Sequence, residues 1–135
     1  MPLVIAGCVV AALLLFLFVA FARETGPGAA DVAVAYELAW DQLDFSLLFD
    51  LSGAELRDGM RREPFIAAKR AAYGDHDRSR IGAQIDVDTA VTGNETALVV
   101  TRVAHAGSAV RNNVLLERRH GTWFVVGYNL RPEPV

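Results

Sequence analysis

The feature that most constrains this chain is an uninterrupted apolar run at residues 3–22, LVIAGCVVAALLLFLFVAFA, which carries no charged side chain. A helix of this length spans about 30 Å, the hydrocarbon thickness of a bilayer. A buried core helix is the alternative, but the rest of the 135-residue chain is too short to surround one on all sides. The sequence therefore predicts a single transmembrane helix at residues 3–22, a Gly/Pro linker at 23–30 and one soluble domain at 31–135.

Two processing routes compete with a retained anchor. Residues 20–22, Ala-Phe-Ala, match the small-x-small pattern that signal peptidase cleaves, although no basic residue precedes the apolar run. Residues 5–8, Ile-Ala-Gly-Cys, resemble a bacterial lipobox, although the chain stays apolar after Cys8. We adopt the retained single-pass anchor in the cell membrane. Arg23 is the basic residue that flanks the run, and basic flanks favour the cytoplasm, so the domain is predicted on that side.

Composition and motifs exclude several classes of function. The net charge of −3 offers no overall positive field, so nucleic acid is not an expected partner. The sole cysteine, Cys8, lies in the apolar run, which leaves no intramolecular disulfide and no Cys-based zinc site. The sequence has no glycine-rich phosphate loop, nucleophile elbow or paired-histidine motif. The adjacent ligand types at residues 75–77, Asp-His-Asp, point apart in a loop, so we expect no metal and no cofactor.

Apolar residues recur at helical spacing through residues 31–51, which predicts one long helix. Trp40 lies at the centre of its apolar face, and we expect it to be buried between this helix and a sheet. Ser52 and Glu55 match a capping box, and Pro64 suits the first turn of a further helix. Two short helices are therefore predicted to cover the long one.

After residue 80 the apolar period changes to two, which is typical of half-buried strands. In the first predicted strand, 81–91, the apolar face carries Ile85, Val87, Thr89 and Val91, with Asp86 and Asp88 on the other face. Three more strands are predicted at 97–106, 109–119 and 123–131, joined by short turns that imply an antiparallel meander. The fold class is α+β, with a long helix and two short helices packed on a curved four-stranded antiparallel sheet.

This order of elements resembles the nuclear transport factor 2-like superfamily. The resemblance covers residues 31–131 and rests on Tyr36, on Trp-Asp-Gln-Leu-Asp-Phe at 40–45 and on Gly-Thr-Trp-Phe-Val-Val at 121–126. It implies a cone-shaped domain whose sheet wraps around the first helix. Because the superfamily contains isomerases, dehydratases, epoxide hydrolases, transport adaptors and non-catalytic modules, the resemblance implies a fold and leaves the function open.

Enzymes of the resembled superfamily hold acid and base residues inside the cone, so the candidate catalytic residues here are Tyr36, Asp41 and His105, with Tyr128 as a further pocket residue. Tyr36 lies on the core face of the first helix, where plain packing is the commoner role.

Three carboxylates share one flank of the predicted helix. They are Glu37, Asp41 and Asp44, and we expect all three to be solvated. The face of the strand that bears His105 is undecided, because both of its faces are apolar enough to pack.

Basic residues concentrate after the acidic first helix. Mutual neutralisation between packed helices is the simpler explanation. The alternative is contact with anionic lipid headgroups, since the short linker keeps the domain near the bilayer. The candidate membrane-surface residues are Arg57, Arg61, Arg62, Lys69 and Arg70.

The leading functional hypothesis is a membrane-tethered, non-catalytic binding or scaffold module that holds a small apolar ligand or a partner protein. The alternative is a small cone-pocket enzyme, a hydro-lyase or isomerase, that uses Tyr36 with Asp41 or His105. The expected partners are the bilayer, through residues 3–22, and one such ligand or protein. A homodimer is compatible with the sequence.

Overall fold

The computed structural model describes residues 27–74, 83–105 and 107–132. The helical half contains α1 (Ala29–Asp41), α2 (Phe45–Leu51), a 3-10 turn (Ala54–Leu56) and α3 (Arg62–Tyr73). The sheet contains β1 (Gln84–Thr92), β2 (Thr96–His105), β3 (Ser108–Arg119) and β4 (Thr122–Pro132). The predicted α+β class is confirmed. The predicted anchor at 3–22 and the loop at 75–77 lie outside the described residues, within which no helix is long and apolar enough to span a bilayer.

The four strands form an antiparallel meander in the order β1-β2-β3-β4, as predicted. The last three strands begin and end within one residue of the predicted bounds. His120 and Gly121, at the turn between β3 and β4, have φ angles of 53° and 78°. Positive φ at both central residues gives the hairpin twist that matches the strands, which explains why the turn falls there.

The prediction for one face of β1 is wrong beyond Val87. The register shifts between Val87 and Thr89, so that Val87 pairs with Thr101 while Thr89 pairs with Val100. An extra residue in one strand reverses the face of every residue after it. Thr89 and Val91 therefore lie on the outer face of the sheet, and Val91 is 72% exposed.

The predicted single helix at 31–51 is two helices. The chain turns after α1, where Leu43 adopts a φ of 55°, and Asp44 begins α2 by accepting a hydrogen bond on Oδ1 from the Leu47 N–H at 3.1 Å. Apolar residues continue at helical spacing on both sides of the turn, so hydrophobic periodicity alone does not reveal the break. Asp44 is exposed and caps a helix end.

The capping box predicted at Ser52 is also wrong. The Ser52 hydroxyl donates to the Leu48 carbonyl oxygen at 2.6 Å, and Ser52 forms a parallel bridge with Val125 of β4. Glu55 instead accepts a hydrogen bond from Arg119 at 2.5 Å. These contacts fasten the segment after α2 to the sheet. The predicted start of the next helix near Pro64 is confirmed by α3.

A hydrophobic core fills the space between α1, the other helices and one end of the sheet, and α1 contacts all four strands. Its largest fully buried apolar side chains are Phe65, Leu48, Leu116, Val99, Val114 and Val125. Trp40 is only half-buried, and its ring packs edge-on against Phe45 and Tyr73, with centroids 6.3 and 5.2 Å away. The expectation of full burial against the sheet is therefore wrong, because Trp40 lies at the end of α1 beside the other helices.

Candidate binding cavity

The inner face of β2 carries Val99, Thr101, Val103 and His105, which resolves the register that the sequence left open. Val99 and Thr101 are fully buried, whereas Leu98 on the other face is 38% exposed. The cross-strand partners of Val99 and Thr101 on β3 are Val114 and Asn112. Side chains that share a face repeat every second residue, so apolar and polar positions succeed one another along the same inner surface.

Glu37 of α1 is buried, with 4% of its surface exposed, and reaches the polar part of this inner face. Its Oε1 accepts hydrogen bonds from Thr101 Oγ1 at 2.7 Å and from Asn112 Nδ2 at 2.9 Å. Its Oε2 accepts one from the Tyr128 hydroxyl at 2.8 Å. Asn112 Nδ2 also donates to the Tyr128 oxygen at 2.8 Å. Neighbouring strands and the central helix thus hold one carboxylate in a fixed position, as a buried charge requires.

Two phenols lie beside this carboxylate, with ring centroids 5.1 Å apart. Burial raises the pKa of Tyr128 far above its usual value, and the neighbouring Glu37 carboxylate raises it further. Burial also raises the pKa of Tyr36, against smaller opposing effects of the Trp40 indole N–H and the Ser52 hydroxyl. Both side chains are therefore neutral at physiological pH, and Tyr128 acts as a hydrogen-bond donor.

Beyond the Glu37 network the cone opens into a cavity of about 480 Å³. Its polar lining residues are Glu37, Asp41, His105, Ser108, Asn112 and Tyr128. Its apolar and aromatic lining residues are Trp40, Ala83, Val103, Ala109, Val110 and Leu130. Pockets of this size with mostly apolar walls and a few convergent polar groups are typical of small-molecule sites.

Two lining side chains have a buried polar atom without a hydrogen-bond partner in the described part of the chain: Trp40, at Nε1, and Asn112, at Oδ1. The Trp40 N–H lies close enough to Tyr36 to lower its pKa, but the contact lacks hydrogen-bond geometry. Asn112 Oδ1 remains an unused acceptor. Buried polar atoms without partners are uncommon in native proteins and are often found where a ligand or water binds.

The structure brings together three of the four residues proposed as pocket residues. Asp41, His105 and Tyr128 line the cavity, whereas Tyr36 packs in the core beneath it. The expectation that Glu37 is solvated is wrong, because the inner face of α1 includes Glu37 as well as Tyr36. Asp41 is half-buried, one helical turn further along.

Thr101 and Asn112 are functional candidates that sequence reasoning missed. Each lies on the inner face between two valines, Val99 and Val103 on β2 or Val110 and Val114 on β3, and the short turn between the strands sets them opposite each other. Two polar residues that lie opposite each other on a buried sheet face need a hydrogen-bond partner from another element. A search for such a partner in the sequence could have indicated Glu37. Among the described residues, no group of three or more His, Cys, Asp or Glu side chains is arranged to hold a metal ion.

The five basic residues considered for the membrane surface lie on the helical side of the domain. Arg57 donates to the Phe49 carbonyl oxygen at 3.2 Å and covers the Phe49 ring at 4.1 Å. Arg62 pairs with Asp50, and Lys69 lies 3.7 Å from Asp58. Arg61 and Arg70 are exposed. Ion pairs within the helical layer account for part of this basic cluster, and its contact with lipid stays a prediction.

The described domain has a fold similar to that of two solved structures, which share the nuclear transport factor 2-like cone fold. It is similar to a structure from Thiobacillus denitrificans described as a calcium/calmodulin-dependent protein kinase type II association domain. The TM-score is 0.62 at 13% identity, over 80% of this chain and 97% of that chain. It is also similar to Bd1075 of Bdellovibrio bacteriovorus, with a TM-score of 0.51 at 11% identity, over 74% of this chain and 37% of that one. At these identities the likeness shows the fold alone.

No protein-family model matches the sequence, and neither does any curated protein.

Proposed function

We propose that this protein is a membrane-tethered, non-catalytic binding module whose cone cavity holds a small, largely apolar ligand. The observation that carries the proposal is the cavity of about 480 Å³ with, among its lining residues, a buried carboxylate that three side-chain hydrogen bonds hold in place. A preformed cavity with a fixed polar group binds a ligand without first paying to order its own side chains.

The same contacts favour binding over catalysis. A general base must face its substrate, but both oxygens of Glu37 already accept hydrogen bonds from protein side chains. The raised pKa values of Tyr36 and Tyr128 oppose phenolate chemistry at neutral pH. The most deeply placed polar groups therefore position a ligand rather than move its protons.

A fragment screen with the full chain in non-ionic detergent micelles tests the binding function. The chain has two tryptophans, of which Trp40 lines the cavity and Trp123 lies outside it, so their indole ¹⁵N–H signals serve as probe and internal control. We expect some small, mostly apolar compounds to shift the Trp40 signal in a saturable manner and to leave the Trp123 signal in place.

A pair of neighbouring substitutions makes this screen specific. Val103 lines the cavity, whereas Ala104 is on the opposite face of the same strand. Val103→Phe should fill the cavity and abolish the Trp40 response, and Ala104→Phe should retain it. Two results would contradict a binding cavity. One is that no compound of the library gives a saturable Trp40 response, and the other is that Val103→Phe and Ala104→Phe lose the response equally.

The enzyme alternative is favoured by one observation, namely that Asp41 and His105 line the same cavity. A hydro-lyase or isomerase would exchange a proton of its substrate with solvent. Incubation of each screened ligand with the protein in D₂O tests this by mass spectrometry. We expect no deuterium uptake above the protein-free rate. Uptake that wild type catalyses and that Asp41→Asn and His105→Gln both abolish would replace binding with catalysis.

The tether is tested separately from the cavity. The full chain should stay with membranes through alkaline carbonate extraction, because residues 3–22 are long and apolar enough to span the bilayer. A chain that begins at residue 27 should be released. Release of a shorter protein that begins at Arg23 would show instead that residues 1–22 are a cleaved signal peptide.

A scaffold role would be served by the outer sheet face. Val91, Leu98 and Leu115 lie opposite one another on β1, β2 and β3, and they are 72%, 38% and 41% exposed. The fold neighbour from Thiobacillus denitrificans is described as an association domain. We expect a homodimer through this apolar row. Sedimentation should show a dimer that Leu98→Lys converts to a monomer, and a monomeric wild type would contradict this role.

A further inference from the structure

The charged side chains that line the cavity are mainly acidic. Among the described residues, the lining contains the carboxylates of Glu37 and Asp41 and the imidazole of His105, but no lysine or arginine. Lys69 is a cation near the cavity wall, with its Nζ 5.6 Å from the centre of the Trp40 ring and 3.7 Å from Asp58 Oδ2. Lys69 is not a lining residue. An anionic ligand would therefore meet carboxylates without a compensating cation in the described part of the lining.

The atoms of the Glu37 network that can still form hydrogen bonds are acceptors. Within the described residues, Glu37 Oε2 accepts one hydrogen bond, from Tyr128, although a carboxylate oxygen can accept two. Asn112 Oδ1 accepts none from the same part of the chain. The Asn112 amide cannot be reversed, because a flip would set its oxygen 2.9 Å from Glu37 Oε1 in place of the present donor. A ligand that completes this network must bring N–H or O–H donors.

The next inward positions are apolar. Val103 and Val110, which pair across β2 and β3, follow Thr101 and Asn112 towards the end of the hairpin. A ligand with its donor group at Glu37 would thus lay an apolar body against these valines. The half-buried carboxylate of Asp41, four residues after Glu37 on α1, lies on the same helical side.

We propose that the cavity selects an organic cation, a protonated amine with an apolar body, over neutral and anionic molecules of the same shape. This inference rests on the proposed binding function and names the ligand class of that site. The ammonium group donates to Glu37 Oε2 and Asn112 Oδ1, and the apolar body packs against Val103 and Val110. A buried ammonium keeps its charge only beside a carboxylate, and Glu37 provides one that is already fixed.

Three probes of nearly equal shape test the proposal on the full chain: phenethylammonium, 2-phenylethanol and phenylacetate. Binding is measured from the Trp40 indole signal, with Trp123 as the internal control. We expect phenethylammonium to bind at least about tenfold more tightly than the alcohol, and phenylacetate to give no saturable shift. This comparison needs no variant, so it holds even where a substitution at Glu37 destabilises the domain.

Matched variants assign the preference to the carboxylate. Glu37→Gln should bring the affinities for amine and alcohol within about threefold of each other. Glu55→Gln, which alters an exposed glutamate paired with Arg119 and outside the cavity lining, should leave the tenfold preference intact.

The outcomes separate this inference from the binding function. Equal or tighter binding of the alcohol or of phenylacetate would overturn the cation preference while the cavity still bound ligands. The absence of a Trp40 response to phenethylammonium would overturn it as well, and the fragment screen would then decide independently whether the cavity binds other compounds. A preference for the amine that survives in folded Glu37→Gln would also refute the assignment to Glu37.

Discussion

The two ends of the inner sheet face are formed by the same strands but have different surroundings. Val99 and Val114 are fully buried in the hydrophobic core, whereas Thr101 and Asn112, the next inward pair, join a hydrogen-bond network beside an open cavity. The backbone and the alternation are the same at both ends. The difference shows that strand periodicity determines which face a residue occupies, while packing from the helices determines whether that face is core or cavity.

The two ends should respond differently to substitution. The core end is stabilised by contact area, which a truncation reduces in proportion to the lost volume. The cavity end is stabilised by a network of hydrogen bonds around one carboxylate, so the loss of an acceptor leaves buried donors unpaired. The following variants are expected to separate these behaviours.

The largest effect is expected in the core end, at Leu116, which is 1% exposed. Leu116→Ala should lower the free energy of unfolding by about 2–5 kcal/mol, because the truncation leaves a cavity and removes apolar burial. Denaturant titration measures the change. The affinity of any cavity ligand for the folded variant should remain unchanged, and a parallel loss of affinity would show that the two ends are not separate.

A smaller loss is expected at the cavity end from Glu37→Gln. The substitution retains the shape of the side chain but replaces the Oε2 acceptor, which receives the Tyr128 hydroxyl, with a donor. We expect a loss of about 1–3 kcal/mol in the free energy of unfolding, measured by denaturant titration. A change of less than about 0.5 kcal/mol, typical of surface sites, would place Glu37 in solvent.

The loss of stability at alkaline pH should depend on Tyr128, which belongs to the cavity end. The pKa of Tyr128 is raised in the folded state, whereas in the unfolded chain it is about 10. The folded state therefore binds more protons above pH 10, so the stability contributed by Tyr128 is full below about pH 10 and is lost as pH rises further. Each such group contributes up to about 1.4 kcal/mol per pH unit.

Denaturant titrations at pH 9 and pH 11 measure this slope. Tyr128→Phe should be less stable than wild type at pH 9 but should lose less stability between pH 9 and pH 11. Part of the slope should remain, because burial also raises the pKa of Tyr36. Identical slopes for wild type and Tyr128→Phe would show that Tyr128 is not buried in the folded state.

The smallest effect is expected at Asp41, which lines the same cavity as Glu37 but is half-buried. Asp41→Ala should change the free energy of unfolding by less than about 1 kcal/mol. Unfolding curves of Asp41→Ala and Glu37→Gln, recorded side by side, sharpen the contrast between two carboxylates on one helix. A greater loss at Asp41 than at Glu37 would reverse their assigned environments.

Much of the fold could be predicted from the sequence because its local signals are strong. The alternation in β2, β3 and β4 and the His120-Gly121 turn predict the meander to within a residue. Two local irregularities escaped prediction. Neither the turn at Leu43 nor the bulge near Asp88 interrupts the apolar pattern, so each has no clear trace in hydrophobic periodicity.

The candidate site was only partly predictable. Asp41, His105 and Tyr128 were identified through a family resemblance, and all three line the cavity. Glu37 was assigned to solvent because it shares one flank of the predicted helix with Asp41 and Asp44. Its partners, Thr101 and Asn112, lie 64 and 75 positions away in sequence. Only the packing of α1 on the sheet brings them together, and no local pattern encodes that packing.

The most direct test of the cavity account is a double-mutant cycle between Glu37 and Tyr128, whose side chains are joined by a 2.8 Å hydrogen bond. The free energies of unfolding of wild type, Glu37→Gln, Tyr128→Phe and the double variant give the interaction energy. We predict a coupling of about 1–3 kcal/mol, because the two residues belong to one buried network. Effects that add to within about 0.3 kcal/mol would contradict the account, since they would mean that Glu37 and Tyr128 do not meet inside the cone.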